Sequence, residues 1–244
     1  MEKSLSNKYL PYLIELRKRL IFFLLSLVLI FLVLMPFDNA LFHLLAKPLL
    51  QKLPSANHLI AIDITAPFFT PLKLAFFLAL YLSMPILFYQ VWQFLSPALY
   101  KREKNLIWPL LFFSSLLFYL GALFAYFVVF PLMFKFFINI TPASVSLLPD
   151  ISAYLSFCLK LFFAFGVAFE VPMIILILLH SGLIQIEKLI HARPYVIVMS
   201  FVIGMLLTPP DVISQILLAL PIWFLYEITI IFAKRSYLKT VINQ

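Results

Sequence analysis

YQVWQFLSPALYKREK, residues Tyr89 to Lys104, decides how the rest of the chain is read. It opens as the apolar end of a hydrophobic helix and closes on the charged cluster Lys101-Arg102-Glu103-Lys104. A second long apolar run starts directly afterwards, at Leu106. A charged turn between two membrane-length segments has to lie at a water interface, and its cations point to the cytoplasmic side. Glu103 is the odd member, a carboxylate on a face where basic residues are the rule.

Composition agrees with that reading. The 244 residues are 64% hydrophobic and 11% charged, whereas a soluble domain carries roughly a quarter charged residues. The chain cannot cover itself with a polar surface, so an all-α integral membrane protein is expected, with the lipid bilayer as its solvent. The net charge of +8 is no nucleic-acid footprint, because the cations sit at the ends of apolar runs rather than in one patch. Cys158 is the single cysteine, which excludes an internal disulfide or a cysteine-based metal site.

Working outward, the polar, basic N-terminus holds Lys3, Lys8, Arg17, Lys18 and Arg19, and an apolar run from Leu20 to Phe37 follows. No small-residue cleavage site ends that run, so it reads as an uncleaved first span. The mixed stretch 38–71 is broken by Pro48, Pro54, Pro67 and Pro71, with a short interfacial helix expected around Leu41–Leu49. Further spans are expected at about 72–99, 106–137, 152–179, 194–207 and 212–232, giving one domain over 1–244. The turn 180–193 and the tail beyond 232 are again basic. Thirteen of the eighteen cations then fall on one side, which predicts six transmembrane helices with both termini inside.

Two details bear on shape. Pro85, Pro131, Pro172 and Pro221 lie within spans and favour bending there. The fifth span, at about 14 residues, is short against the roughly 20 that a bilayer needs. The turn Thr208–Asp211 is therefore expected to be sunk below the outer surface, carrying Asp211 and Gln215 deeper than their positions suggest.

Glu170 is the sharpest intramembrane signal. If Lys160 reaches the outer interface, Glu170 lies about 15 Å further in, near the midplane. An ionisable residue there marks a functional site by default; the bland alternative is a structural hydrogen bond to a neighbouring helix. Glu15, in LIELRKRL, is a second carboxylate at the inner edge, and with Glu103 it could receive guanidinium groups in bidentate geometry. The four histidines are scattered without H-E-x-x-H spacing, and neither G-x-S-x-G nor a phosphate-cradling glycine loop is present. These absences argue against a hydrolase or ATPase, and no cofactor is expected.

LIELRKRL (13–20), Phe68-Phe69-Thr70-Pro71 to Lys73, YQVWQFLSPALYKREK (89–104), FYLGALFAYFVVFP (118–131), FGVAFEVP (165–172) and Arg193-Pro194-Tyr195 through Gly204-Met205-Leu206-Leu207-Thr208-Pro209-Pro210-Asp211 span nearly the whole chain. In content and order they resemble the TatC family, the multispanning receptor subunits of the twin-arginine, Sec-independent protein translocase. The resemblance implies a curved, glove-like six-helix bundle in a bacterial inner membrane. It implies binding of Arg-Arg signal peptides of folded cargo and recruitment of TatA-like and TatB-like single-span partners into a multi-copy complex. Export would be driven by the proton-motive force. Glu15 and Glu103 would contact the paired arginines, with Arg17 and Phe94 nearby. Glu170 and Gln215 would form a polar patch for partner helices, and Pro209 and Asp211 would shape the outer turn. Tyr12 departs from the family pattern, which commonly has His there. The competing reading is a proton-coupled secondary transporter with a Glu170, Lys160 and Asp211 relay. It lacks the paired repeats with interrupted helices that such transporters show.

Overall fold

Because backbone N–H and C=O groups have no water to bind in hydrocarbon, apolar runs of this length must close their hydrogen bonds internally as helices. A computed structural model of the chain shows this, and it describes residues 2–37, 60–99, 107–140, 150–207 and 212–242. The helices are α1 (Glu2–Leu34), α2 (Ala66–Leu99), α3 (Ile107–Phe124), α4 (Phe130–Ile140), α5 (Ile151–His180), α6 (Ile186–Leu207) and α7 (Val212–Ile242). Six segments among them are long and apolar enough to cross a membrane, α3 and α4 together forming the third. The expected helix at 41–49, Glu103, Pro209 and Asp211 lie outside the described residues.

Helix ends depart from the apolar runs in instructive ways. α1 begins well before Leu20, since the Glu, Lys, Leu and Arg that precede it are good helix formers. α2 starts at Ala66 rather than Leu72. Asp63 accepts hydrogen bonds from the Thr65 N–H (3.1 Å) and hydroxyl (2.8 Å), while its carbonyl accepts from Ala66 N–H (3.0 Å). Those two Thr65 donors hold the Asp63 carboxyl below the usual carboxylate range. Pro67 falls in the first turn, where a missing N–H costs no hydrogen bond.

The third span is interrupted where Pro131 requires it. Residues Ala125–Val129 form one wide π turn, closed by Phe130 N–H donating to Ala125 C=O. The extra residue in that turn lies directly ahead of a ring that cannot donate to the ladder.

The fifth span corrects the 14-residue expectation. α6 is 22 residues long, and its apolar window runs from Ile186 to Leu206. Pro194 lies inside the helix rather than at its start, and the turn before it shrinks to 181–185. Gly182, at φ +72°, makes that tight turn by taking the left-handed conformation open to glycine. At full length, α6 no longer requires a sunken 208–211 turn.

The described residues fall into two compact units, 1–45 with 68–115, and 46–67 with 116–244. In the first, Phe31 of α1 meets Phe76 of α2 edge to face at 6.0 Å. Trp92 of α2 donates from its buried indole to the Ser114 hydroxyl of α3 (3.1 Å). In the second, α5 is central: Leu155, Cys158, Leu161 and Phe165 are all essentially inaccessible. Asp150 caps α5 through Ala153 N–H (2.9 Å) and its other oxygen accepts from Ile62 N–H (3.2 Å). The segment before α2 is thereby pinned to the start of α5.

α3 and α5 approach closely at two glycines that belong to no G-x-x-x-G. A Cβ on Gly121 would lie 2.5 Å from the Phe165 carbonyl oxygen, and one on Gly166 would lie 2.6 Å from the Phe118 ring. Backbone cannot yield as a ring can. Gly121→Ala is therefore expected to cost about 1–3 kcal/mol, with a smaller loss for Gly166→Ala, read from thermal unfolding in detergent. A Gly121→Ala protein as stable as the parent would show that the two helices can move apart without penalty.

Candidate functional site

Glu15 and Arg19 are four residues apart on α1, so they share a helix face. The Arg19 Nε donates to Glu15 Oε1 at 3.0 Å, and its Nη2 donates to the same oxygen. Nη1 reaches across to α2 and donates to Gln93 Oε1 (2.7 Å) and Gln90 Oε1 (3.2 Å). Gln90 and Gln93 are three apart on α2, again one face, which is why a single guanidinium can hold both. The Arg19 side chain is only 17% exposed, whereas Glu15 is 42% exposed. The acceptor faces outward and its resident cation sits behind it.

The sequence singles out Glu15, with Glu103, Arg17 and Phe94 as expected neighbours; among the described residues its direct partner is Arg19. Arg17, two positions on, is exposed and lies on a different side of α1. Phe94 is partly buried on α2, one residue beyond Gln93. Arg19, Gln90 and Gln93 were missed as site residues. The i,i+4 spacing from Glu15 to Arg19 was a usable signal, while nothing in the chain order joins residue 19 to residues 90 and 93.

Glu170 is 5% exposed on α5, so a carboxyl is indeed held inside the second unit. Its neighbour Phe169 lines an apolar groove of about 470 Å³ with Phe124, Leu220, Pro221 and Phe224. Gln215 lies earlier on α7, where its backbone comes against Gly204 of α6: a Cβ there would lie 3.3 Å from the Gln215 carbonyl oxygen. The nearest groove residue on α7, Leu220, is about 7.5 Å further along the helix axis. The groove wall that α7 shares with Phe169 thus begins more than one helical turn along from Gln215.

A further polar cluster joins α6 to α7. The buried Tyr226 hydroxyl donates to the Leu189 carbonyl at 2.8 Å, and Arg193 Nε lies 3.0 Å from Glu227 Oε1. Ile175, Leu189, Tyr226 and Ile230 pack around it. Glu227 was not singled out in the sequence, although an acid within the apolar run 212–232 was its signal. Arg193, expected at the end of the turn 180–193, lies inside α6 and is paired.

The comparisons with known proteins agree with this architecture. A sequence profile described as Sec-independent protein translocase protein (TatC) matches residues 11–221. The Sec-independent protein translocase protein TatC of Escherichia coli O6:H1 is 53% identical, over 92% of this chain and 87% of its own length. The protein of the same description from Haemophilus influenzae is 48% identical, over 94% of this chain and 90% of its own. A solved structure described as "Crystal Structure of Twin Arginine Translocase Receptor- TatC" superposes with a TM-score of 0.85 at 39% identity, covering 93% of this chain and 99% of that one. A six-span helical chain that matches the profile and these relatives over nearly its whole length is a member of the TatC family of Sec-independent protein translocase proteins.

Proposed function

We propose that the chain is the receptor subunit of a twin-arginine protein translocase, binding Arg-Arg signal peptides of folded cargo at the cytoplasmic face of a bacterial inner membrane. The observation that carries this reading is the outward-facing Glu15 carboxylate, which already accepts two N–H donors from a guanidinium. Glu103 supplies the second carboxylate, with Arg17 and Phe94 at the margin of the site. One exposed ion pair contributes about 0–1 kcal/mol, and a hydrogen bond to a charged group in a partly desolvated site roughly 1.5–3 kcal/mol. The arginines therefore set specificity, while burial of the peptide's apolar segment provides most of the affinity. In this reading 1–244 acts as one domain with both termini inside, Pro209 and Asp211 shape the outer turn, and the proton-motive force drives export.

Partner recruitment is assigned to the second unit. In this reading Glu170 and Gln215 form the polar patch on which the single helices of TatA-like and TatB-like subunits dock in a multi-copy complex, and a partner reaches the buried Glu170 by parting the helices around it. Hydrogen bonds between helices in membranes average about 0.6 kcal/mol, a strength suited to reversible docking.

Three measurements test this reading. Glu103→Ala should weaken an Arg-Arg peptide much more than its Lys-Lys variant in a binding titration; equal losses would mean that the carboxylate does not read guanidinium geometry. Single cysteines at Asn57, Ser144 and Lys104 in a Cys158→Ala background should react with an impermeant thiol reagent on intact cells at 57 and 144 only. Labelling at 104 alone would invert the topology. Glu170→Ala should leave peptide crosslinking largely intact while co-purification of the single-span partners falls, and the opposite pattern would exchange the two roles.

A further inference from the structure

The site proposed for arginine recognition already holds an arginine. We propose that Arg19 is a resident competitor for Glu15, which an incoming signal peptide must displace and which thereby sharpens discrimination against lysine. The proposal rests on the reading of Glu15 as the peptide's guanidinium acceptor.

Three features of the geometry carry it. First, Arg19 directs both Nε and Nη2 onto one oxygen of Glu15, so the carboxylate charge is locally neutralised before any ligand arrives. An ammonium, which binds as a point charge, loses most of its attraction to such a pair. A guanidinium still gains from planar, directional hydrogen bonding. Second, Arg19 has somewhere to stay. Its Nη1 remains held by Gln90 and Gln93 when the Glu15 bonds are surrendered, so displacement does not strand a cation in a partly buried position. Third, exposure is asymmetric, with the acceptor 42% and the competitor 17% exposed. A ligand approaching from outside meets the carboxylate first and pushes against a guanidinium tethered behind it. Helix support alone would account for an i,i+4 pair on α1, but not for two amide acceptors supplied by α2 to the same guanidinium.

The test is a fluorescence-anisotropy titration of the full chain in nanodiscs, using labelled Arg-Arg and Lys-Lys signal peptides with the same apolar segment. Arg19→Gln should tighten Lys-Lys binding about fivefold, corresponding to about 1 kcal/mol, and tighten Arg-Arg binding less, so the preference for arginine falls. Arg19→Lys keeps a cation but loses the forked donors, and it should fall between the parent and Arg19→Gln. It also serves if Arg19→Gln does not fold. Weakening of both peptides by either variant would overturn the proposal, because Arg19 would then be positioning Glu15 rather than competing for it. An unchanged Arg-Arg to Lys-Lys ratio would overturn it equally. Glu15→Gln is run alongside. If it leaves Arg-Arg binding intact, the underlying assignment of Glu15 fails, a result distinct from either outcome at Arg19.

Discussion

In a bilayer the backbone must satisfy its own hydrogen bonds, and most of the local irregularities here are answers to that requirement. Prolines at 172, 194 and 221 stand inside helices that would lose a bond at each of them. At Pro131 the chain responds with the π turn 125–129, whose i to i+5 bond re-closes the ladder just ahead of the ring. Helix ends follow the same logic. Asp150 takes up the Ala153 and Ile62 N–H groups, and Gly182 turns the end of α5 so that the N–H groups of 182 and 183 reach the carbonyls of Leu179 and Leu178.

The same scarcity of water disciplines the side chains. Trp92 finds Ser114, Tyr226 finds the Leu189 carbonyl, and Arg193 lies against Glu227. Each pairing ties one helix to another, so polar groups that would be costly alone become ties between spans. Arg19 is the fullest example, with donors directed to one carboxylate and two amides. It differs from the others in that one guanidinium joins a carboxylate on its own helix to two amides on the next.

Six helical spans were legible in the chain because their signal is local: an apolar run of sufficient length has one fate in hydrocarbon. Helix ends were less legible, since hydropathy marks where a helix enters lipid and not where it starts. α6 shows the cost of confusing the two. Glu187, Lys188 and Arg193 made 180–193 look like a turn, yet those residues are good helix formers and extend the helix to Ile186. Glu170 was legible as a buried acid for the same local reason, being an ionisable group in an apolar run.

By itself, the sequence determined the class, the number of spans and the family, through apolar length, cation placement and motifs in a characteristic order. Glu15 could likewise be picked out as a carboxylate at the edge of a span. What only the tertiary structure decided was the company these residues keep. The Gln90 and Gln93 amides reach Arg19 from a helix some seventy residues away, and Glu227 meets Arg193 across two helices. The carbonyl of Phe165 leaves room at position 121 for a hydrogen only. Periodicity fixes which face a residue occupies, but the rotation and height at which two such faces meet are set by packing of whole helices, which no local pattern encodes.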